Sequence, residues 1–144
     1  MRYEIFPHSW VLKHCRQLLE DNFRESGLKG FDFTPDLETY EALSATDSFC
    51  LVAADEGVPI GICSVFVTRD LHTSQLFAIN DSIYCRPEYR DRGVGGQLFV
   101  RAEREAKARG VSVFFWQVGV DSPLDKALRK RSPIDQVAYA RRLA

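Results

Sequence analysis

The sequence has no apolar run near the roughly 20 residues that a membrane-spanning helix needs. Its first residues, Met1-Arg2-Tyr3-Glu4-Ile5-Phe6-Pro7, lack the longer apolar stretch of a signal peptide. The expected location is the cytoplasm, with no membrane partner. Cysteines are few: Cys15, Cys50, Cys63 and Cys85 are widely spaced and form no C-x-x-C pair. That speaks against a structural metal site or disulfide framework and for reduced thiols. Cys50, Cys63 and Cys85 sit in apolar runs, where a free thiol packs as a small hydrophobe. His8, His14 and His72 are scattered without metal-pair spacing, so surface or capping positions are expected for them. His14 beside Cys15 makes no nucleophile pair, because helix neighbours diverge by about 100°. Repeats, low-complexity tracts and domain linkers are absent. A net charge of -1 argues against a general nucleic-acid binder.

What is present is the composition of an ordinary soluble protein, 45% hydrophobic and 27% charged, in 144 residues, a length that suits one domain over 1–144. The charge is unevenly spread. Residues 1–60 carry 5 Lys/Arg against 11 Asp/Glu, and residues 61–144 carry 14 against 9. A cation-attracting front beside an anion-attracting half would read this way, and so would chance on solvated helix faces.

Along the chain, residues 3–6 can form a short strand, and Pro7-His8-Ser9 opens a helix to about Ser26 with Val11, Cys15, Leu18, Leu19 and Phe23 on one face. Thr34-Pro35-Asp36-Leu37-Glu38 reads as a second helix start, capped by Thr34, running to about Ala45. Residues 48–55 and 60–68 make an antiparallel hairpin about Glu56-Gly57-Val58-Pro59. Residues 75–86 return as a long strand, which Pro87 ends. A helix from Arg92 or Gly93 to Arg109 follows, with Val94, Leu98, Ala102 and Ala106 inward, Glu103–Lys107 and Glu105–Arg109 as outward pairs, and Gly110 as cap. Residues 111–118 are apolar enough for a central strand, parallel to the one before the helix. Ser122-Pro123-Leu124-Asp125 opens a last helix to about Arg131, Pro133 ends it, and residues 137–143 can close the sheet.

The chemistry gathers at Arg90-Asp91-Arg92-Gly93-Val94-Gly95-Gly96. The chain leaves a strand, turns, and starts a helix with glycines where side chains would block the approach. Unshared N–H groups and the helix dipole make such a start an anion site. Gly93 and Gly95 let a phosphate near the backbone, and Arg90 and Arg92 add positive charge. A P-loop would need Gly-Lys-Ser/Thr, which the chain lacks, and a dinucleotide fingerprint a third glycine where Leu98 stands. A glycine-rich connection without a ligand is the bland reading.

The stretch Tyr84-Cys85-Arg86-Pro87-Glu88-Tyr89-Arg90-Asp91-Arg92-Gly93-Val94-Gly95-Gly96-Gln97-Leu98 resembles the central motif of the GNAT acetyltransferases, a strand, "P-E-Y-R", then R/Q-x-x-G-x-G/A opening a helix. The match is good over residues 48–120 and loose at both ends. The resemblance implies an α+β fold with a mixed, mostly antiparallel central sheet flanked by helices. It also implies acetyl-CoA in a splayed V between the strand ending at Arg86 and the strand from Val111, its pyrophosphate on the amides of Arg92 to Gly96 and its pantetheine arm against the backbone of Ile83, Tyr84 and Cys85.

Acetyl transfer to an amine needs a neutral nitrogen, so near neutral pH a proton has to leave an ammonium. Asp81 is the expected base. It lies in an apolar strand, alternation puts it with Ile79, Ile83 and Cys85, and Asn80 and Ser82 then point away. In the family an Asp or Glu four residues before the strand end often serves, and Asp81 stands four before Cys85. A carboxylate capping a bulge is the alternative. The family's usual acid is a tyrosine in the last helix, but its place here falls on Leu128; Tyr139, on the final strand, or Tyr84 can substitute. Trp10, Phe23, Phe31, Phe33 and Tyr40 can line an acceptor pocket, although their helical spacing also suits core packing. The implied function is direct transfer from acetyl-CoA to a primary amine, without metal, with polyamine, aminoglycoside, amino-acid and protein-lysine acceptors all open. A homodimer is admitted, with no legible seam. The rivals are a non-catalytic coenzyme-A-binding module and an interaction domain whose turn holds no ligand.

Overall fold

The computed structural model describes residues 1–132 and 137–143. Its sheet has five strands in chain order, β1 (Arg2–Phe6), β2 (Phe49–Asp55), β3 (Val58–Arg69), β4 (Leu76–Cys85) and β5 (Val111–Phe115). β1 to β4 pair antiparallel, and β5 joins β4 in parallel. This is the mixed, mostly antiparallel α+β sheet expected.

The hairpin forms because Asp55 pairs Val58 across the two-residue turn Glu56-Gly57, both at positive φ. Helix α4 (Val94–Ala108) lies on one face. Its inward stripe of Val94, Leu98, Ala102 and Ala106 is fully buried against Leu51, Cys63, Val65 and Ala78. Gly61 permits that approach: a Cβ there would meet Tyr84 O at 3.1 Å and Leu98 Cδ1 at 3.2 Å. Helices α1 (His8–His14) and α2 (Arg16–Ser26) cover the other face through Val11, Leu12, Cys15, Leu18 and Leu19 on Cys50, Val52, Ile62 and Tyr84. All four cysteines are buried free thiols.

Several expectations need correction. The first helix breaks at Cys15 (φ -125°, ψ 24°), which gives α1 and α2 separate directions. Helix α3 (Leu37–Leu43) is capped by Asp36, whose carboxylate accepts from Glu38 N, rather than by Thr34. β5 ends at Phe115 and is the last strand of the sheet, not a central one. Its apolar residues serve aromatic contacts instead: Phe115 meets Phe77, and Phe114 stacks on Trp116. Helix α5 spans Pro123–Arg129, shorter than read. The stop assigned to Pro133 lies outside the described residues. Residues 137–143 form no strand; there Arg142 covers the ring of Phe31 at 4.4 Å and donates to Gly30 O at 3.2 Å. Of the outward pairs on α4, Glu105–Arg109 forms at 2.8 Å, while Glu103 accepts from Trp116 Nε1 at 3.0 Å.

Candidate active site

β4 and β5 run together only from Leu76↔Val111 to Ile79↔Phe115. There they part. Asn80 holds the fork: its Nδ2 donates to Gln117 O at 2.8 Å and its Oδ1 accepts from Gln117 N at 2.7 Å. Beyond the fork, β4 pairs with β3 on one side, and its other edge faces a wedge with no strand against it among the described residues. Unshared strand edges are strong hydrogen-bonding surfaces. Ile83, Tyr84 and Cys85, expected along a pantetheine arm, lie on this stretch. The Cys85 carbonyl already accepts from Arg90 Nε at 2.9 Å.

After β4 the chain makes a 3₁₀ turn (Pro87–Arg92) and enters α4 through Gly93 at φ 75°, ψ 8°, a left-handed conformation that side chains disfavour. No side chain caps α4. Among the described residues, a Cβ built at Gly93, Gly95 or Gly96 would meet nothing within 4 Å. The start of a 15-residue helix therefore has no capping side chain and open space beside its glycines, with the dipole behind it. This arrangement fits a diphosphate.

The two arginines divide their roles. Arg90 donates to Glu25 Oε2 at 2.6 Å and lies over the Tyr84 ring at 5.6 Å, so it braces the turn against the end of α2; that carboxylate also raises its pKa. Arg92 lies over Tyr89 at 4.8 Å, whose hydroxyl donates to Asp55 Oδ2 at 3.1 Å. Asp91 is exposed, and Val94 belongs to the core stripe, so it offers its backbone alone.

Asp81 is the extra residue of a bulge. Ser64 pairs Ser82 and the next β3 residue, Val65, pairs Asn80, which leaves Asp81 unmatched. The bulge resets the alternation. Ala78 before it and Ile83 and Cys85 after it meet α4, whereas Asp81 and Ser82 both open on the α2 side. Asp81 thus does not share the face of Ile83 and Cys85, and Ser82 does not point away from it. The two form the floor of a cleft of about 520 Å³ walled by α2, residues 27–33 and Tyr40 of α3.

Protein packed around Asp81 raises its pKa above 3.8, although water still reaches it through the cleft mouth; the neighbouring Ser64 hydroxyl acts the other way. Behind Ser64 stands His8, 1% exposed, with Nε2 3.0 Å from Ser64 Oγ. Burial lowers its pKa to about 4, so the imidazole is neutral near pH 7. With the proton on Nε2, only a lone pair is left at Nδ1, which is buried without a partner, and the Ser64 proton is free to face Asp81. Tyr40 is pushed up to about 12 by burial first and the Asp81 charge second. Ser82 Oγ is buried with no partner.

Four of the five aromatics considered for an acceptor pocket, Phe23, Phe31, Phe33 and Tyr40, line this cleft. Trp10 stacks on Phe6 at 3.6 Å and lines a separate depression. Tyr139 is 87% exposed on a segment without regular structure, and Tyr84 is buried beneath Arg90. Leu128 of α5 has no proton to give. His8 and Ser64 escaped the sequence reading, which expected a surface or capping position for His8. The signal was there: His8 precedes Val11 by three and Cys15 by seven, so it falls on the buried stripe of its helix.

The profile of the "Acetyltransferase (GNAT) family" matches residues 12–129. The chain belongs to that family, whose enzymes transfer acetyl groups to amines. No curated protein matches the chain. Among solved structures it is similar to an aminoglycoside acetyltransferase, meta-AAC0020, from an uncultured soil metagenomic sample, with TM-score 0.79, 17% identity and coverage of 99% of this chain and 95% of that one. It is also similar to ribosomal-protein-alanine N-acetyltransferase from Brucella melitensis biovar Abortus 2308, with TM-score 0.73, 18% identity and 99% and 100% coverage. The aminoglycoside N-acetyltransferase AAC(6')-Iy in complex with CoA gives TM-score 0.70, 18% identity and 99% and 100% coverage. At these identities the likeness is one of fold. Among the described residues no helix is long and apolar enough to cross a membrane.

Proposed function

We propose that this chain is a cytoplasmic, single-domain N-acetyltransferase that moves the acetyl group of acetyl-CoA directly to a primary amine held over Asp81. The observation that carries the reading is the alignment of three features along one strand. The open glycine turn stands beyond the end of β4, the unpaired edge of residues 81–85 leads back from it, and Asp81 lies where that edge begins. From Asp81 to Cys85 the strand covers about 13 Å, a span suited to an extended pantetheine arm.

In this reading the amides of Gly93 to Gly96 hold the diphosphate, and Ile83 and Tyr84 align the arm through their backbone. Arg90 keeps the turn fixed against α2 rather than gripping phosphate. Asp81 takes a proton from the incoming ammonium, directly or through a water. Its raised pKa brings it nearer the operating range of a general base. The freed amine attacks the thioester carbonyl, a bond to nitrogen forms, the nitrogen gives its second proton to water, and the carbon–sulfur bond breaks to release the coenzyme thiolate. Tyr139 is exposed and Leu128 has no proton to give, so in this reading the thiolate leaves without an assigned acid. The test is thiol release from acetyl-CoA with a panel of amines, comparing the parent with Asp81→Asn. Release by the parent, lost in the variant while acetyl-CoA still binds, supports the reading. Equal release by both would remove Asp81 from the role.

A further inference from the structure

Building on that acetyltransferase reading, we infer that the acceptor is an amine carried on an apolar, aromatic-sized body, not a polycation such as a polyamine or an aminoglycoside. The cleft over Asp81 has a carboxylate at its floor and uncharged, mostly apolar walls. The floor offers the Asp81 carboxylate, with Ser82 beside it. One ammonium satisfies that carboxylate. The walls rise mainly as Leu19, Phe23, Leu28, Phe31 and Phe33, with the uncharged Asn22, Ser26 and Tyr40 between them, and Asp81 is the sole carboxylate among the lining residues.

A polycation needs more acids than that, and several nearby ones are engaged elsewhere. Glu25 holds Arg90 at 2.6 Å, Glu20 and Asp21 hold Arg24, and Asp36 caps α3. The aromatic rings at the mouth already carry cations of the protein: Arg142 lies over Phe31 at 4.4 Å and Arg16 over Phe33 at 5.5 Å. An additional cation there finds these ring faces already covered. Several acids of residues 1–60, whose balance as sequence favours a cationic acceptor, are therefore engaged in local pairs. An apolar body finds a wall that gains by being covered, and discrimination in such pockets runs from about 10- to 200-fold.

The experiment first measures acetyl-CoA binding to the intact chain by calorimetry. It then measures kcat/KM by thiol release for 2-phenylethylamine, spermidine and neamine, in the parent and in Phe31→Asp. Phe31 is 52% exposed, so this variant leaves the core intact. The inference predicts that 2-phenylethylamine exceeds both polycations by about tenfold or more, and that Phe31→Asp narrows that ratio by about tenfold. Equal or faster acetylation of spermidine or neamine overturns it. So does acetyl-CoA binding with no transfer to 2-phenylethylamine. An absence of acetyl-CoA binding overturns the underlying acetyltransferase reading, and the acceptor inference with it.

Discussion

Asn80 clasps the backbone of Gln117 from both sides, donating at 2.8 Å and accepting at 2.7 Å, at the point where β4 and β5 separate. The buried amide thus replaces the next rung of the parallel ladder. It sets where the wedge opens, and Asp81 is the following residue. Asn80→Ala removes both bonds and leaves two backbone groups of Gln117 to find water. The expected cost is about 2 kcal/mol of stability, read as a lower denaturant midpoint, with weaker acetyl-CoA binding in calorimetry. Asn80→Asp, which keeps the acceptor and loses the donor, should fall between. An alanine variant with unaltered stability and affinity would remove the clasp from the account.

Asp81→Asn is expected to lower kcat by about 10²- to 10⁴-fold while acetyl-CoA affinity holds. Stability should move the opposite way. Because the folded pKa lies above the unfolded one, the carboxyl stabilises the fold at low pH and loses that contribution as pH rises through its folded pKa. The asparagine variant should therefore be at least as stable as the parent at pH 7, with any advantage vanishing toward pH 3. A marked loss of stability at pH 7 would mean that the carboxylate is a structural group.

Ser64 favours the charged form of Asp81, so Ser64→Ala should push the acid limb of the kcat/KM profile to higher pH. The other groups facing this carboxylate are Tyr40 of α3 and Cys50 of β2, with His8 of α1 behind Ser64 and Arg16 of α2 beyond Tyr40. Tyr40 and Cys50 are both held near 12, so neither titrates in the range where the limb moves. An unshifted limb would separate Ser64 from the base.

His8 gives a second pH dependence. Its folded pKa of about 4 lies below the ordinary 6.5, so the unfolded chain binds more protons between those values. The contribution is complete above pH 6.5 and is lost as pH falls toward 4, about 2 to 4 kcal/mol in all. His8→Gln should flatten this part of the stability curve in denaturant titrations at stepped pH. An unchanged slope would show that the imidazole becomes charged without opening the fold.

The residues disclosed the sheet order through the hairpin and the β4–α4–β5 unit, because period-two and four-residue patterns act locally. The stripe Val94, Leu98, Ala102 and Ala106 is buried as its spacing requires. What stayed hidden depended on partners. The Asp81 bulge arises from the register with β3, where Ser64 and Val65 skip one residue of β4, and no residue of β4 announces it. The break at Cys15 has neither glycine nor proline; it comes from packing, with Cys15 3% exposed between the helices and the sheet. The apolar run of β5 was legible as buried-type sequence, yet its aromatic partners are Phe77 and Trp116 rather than a second neighbouring strand. The glycine turn was the clearest part of the site, since its chemistry lies in consecutive residues, while the Asp81–Ser64–His8 group joins three distant segments.

The central claim is that bare helix-start amides hold a diphosphate, and Gly95→Glu tests it most directly. Gly95 lies in the first turn of α4 with open space before it, where a glutamate suits both helix propensity and dipole. Calorimetry with acetyl-CoA, alongside a thermal melt, should show affinity reduced about a hundredfold with no loss of stability. Undiminished affinity in a fully folded Gly95→Glu protein would contradict the account.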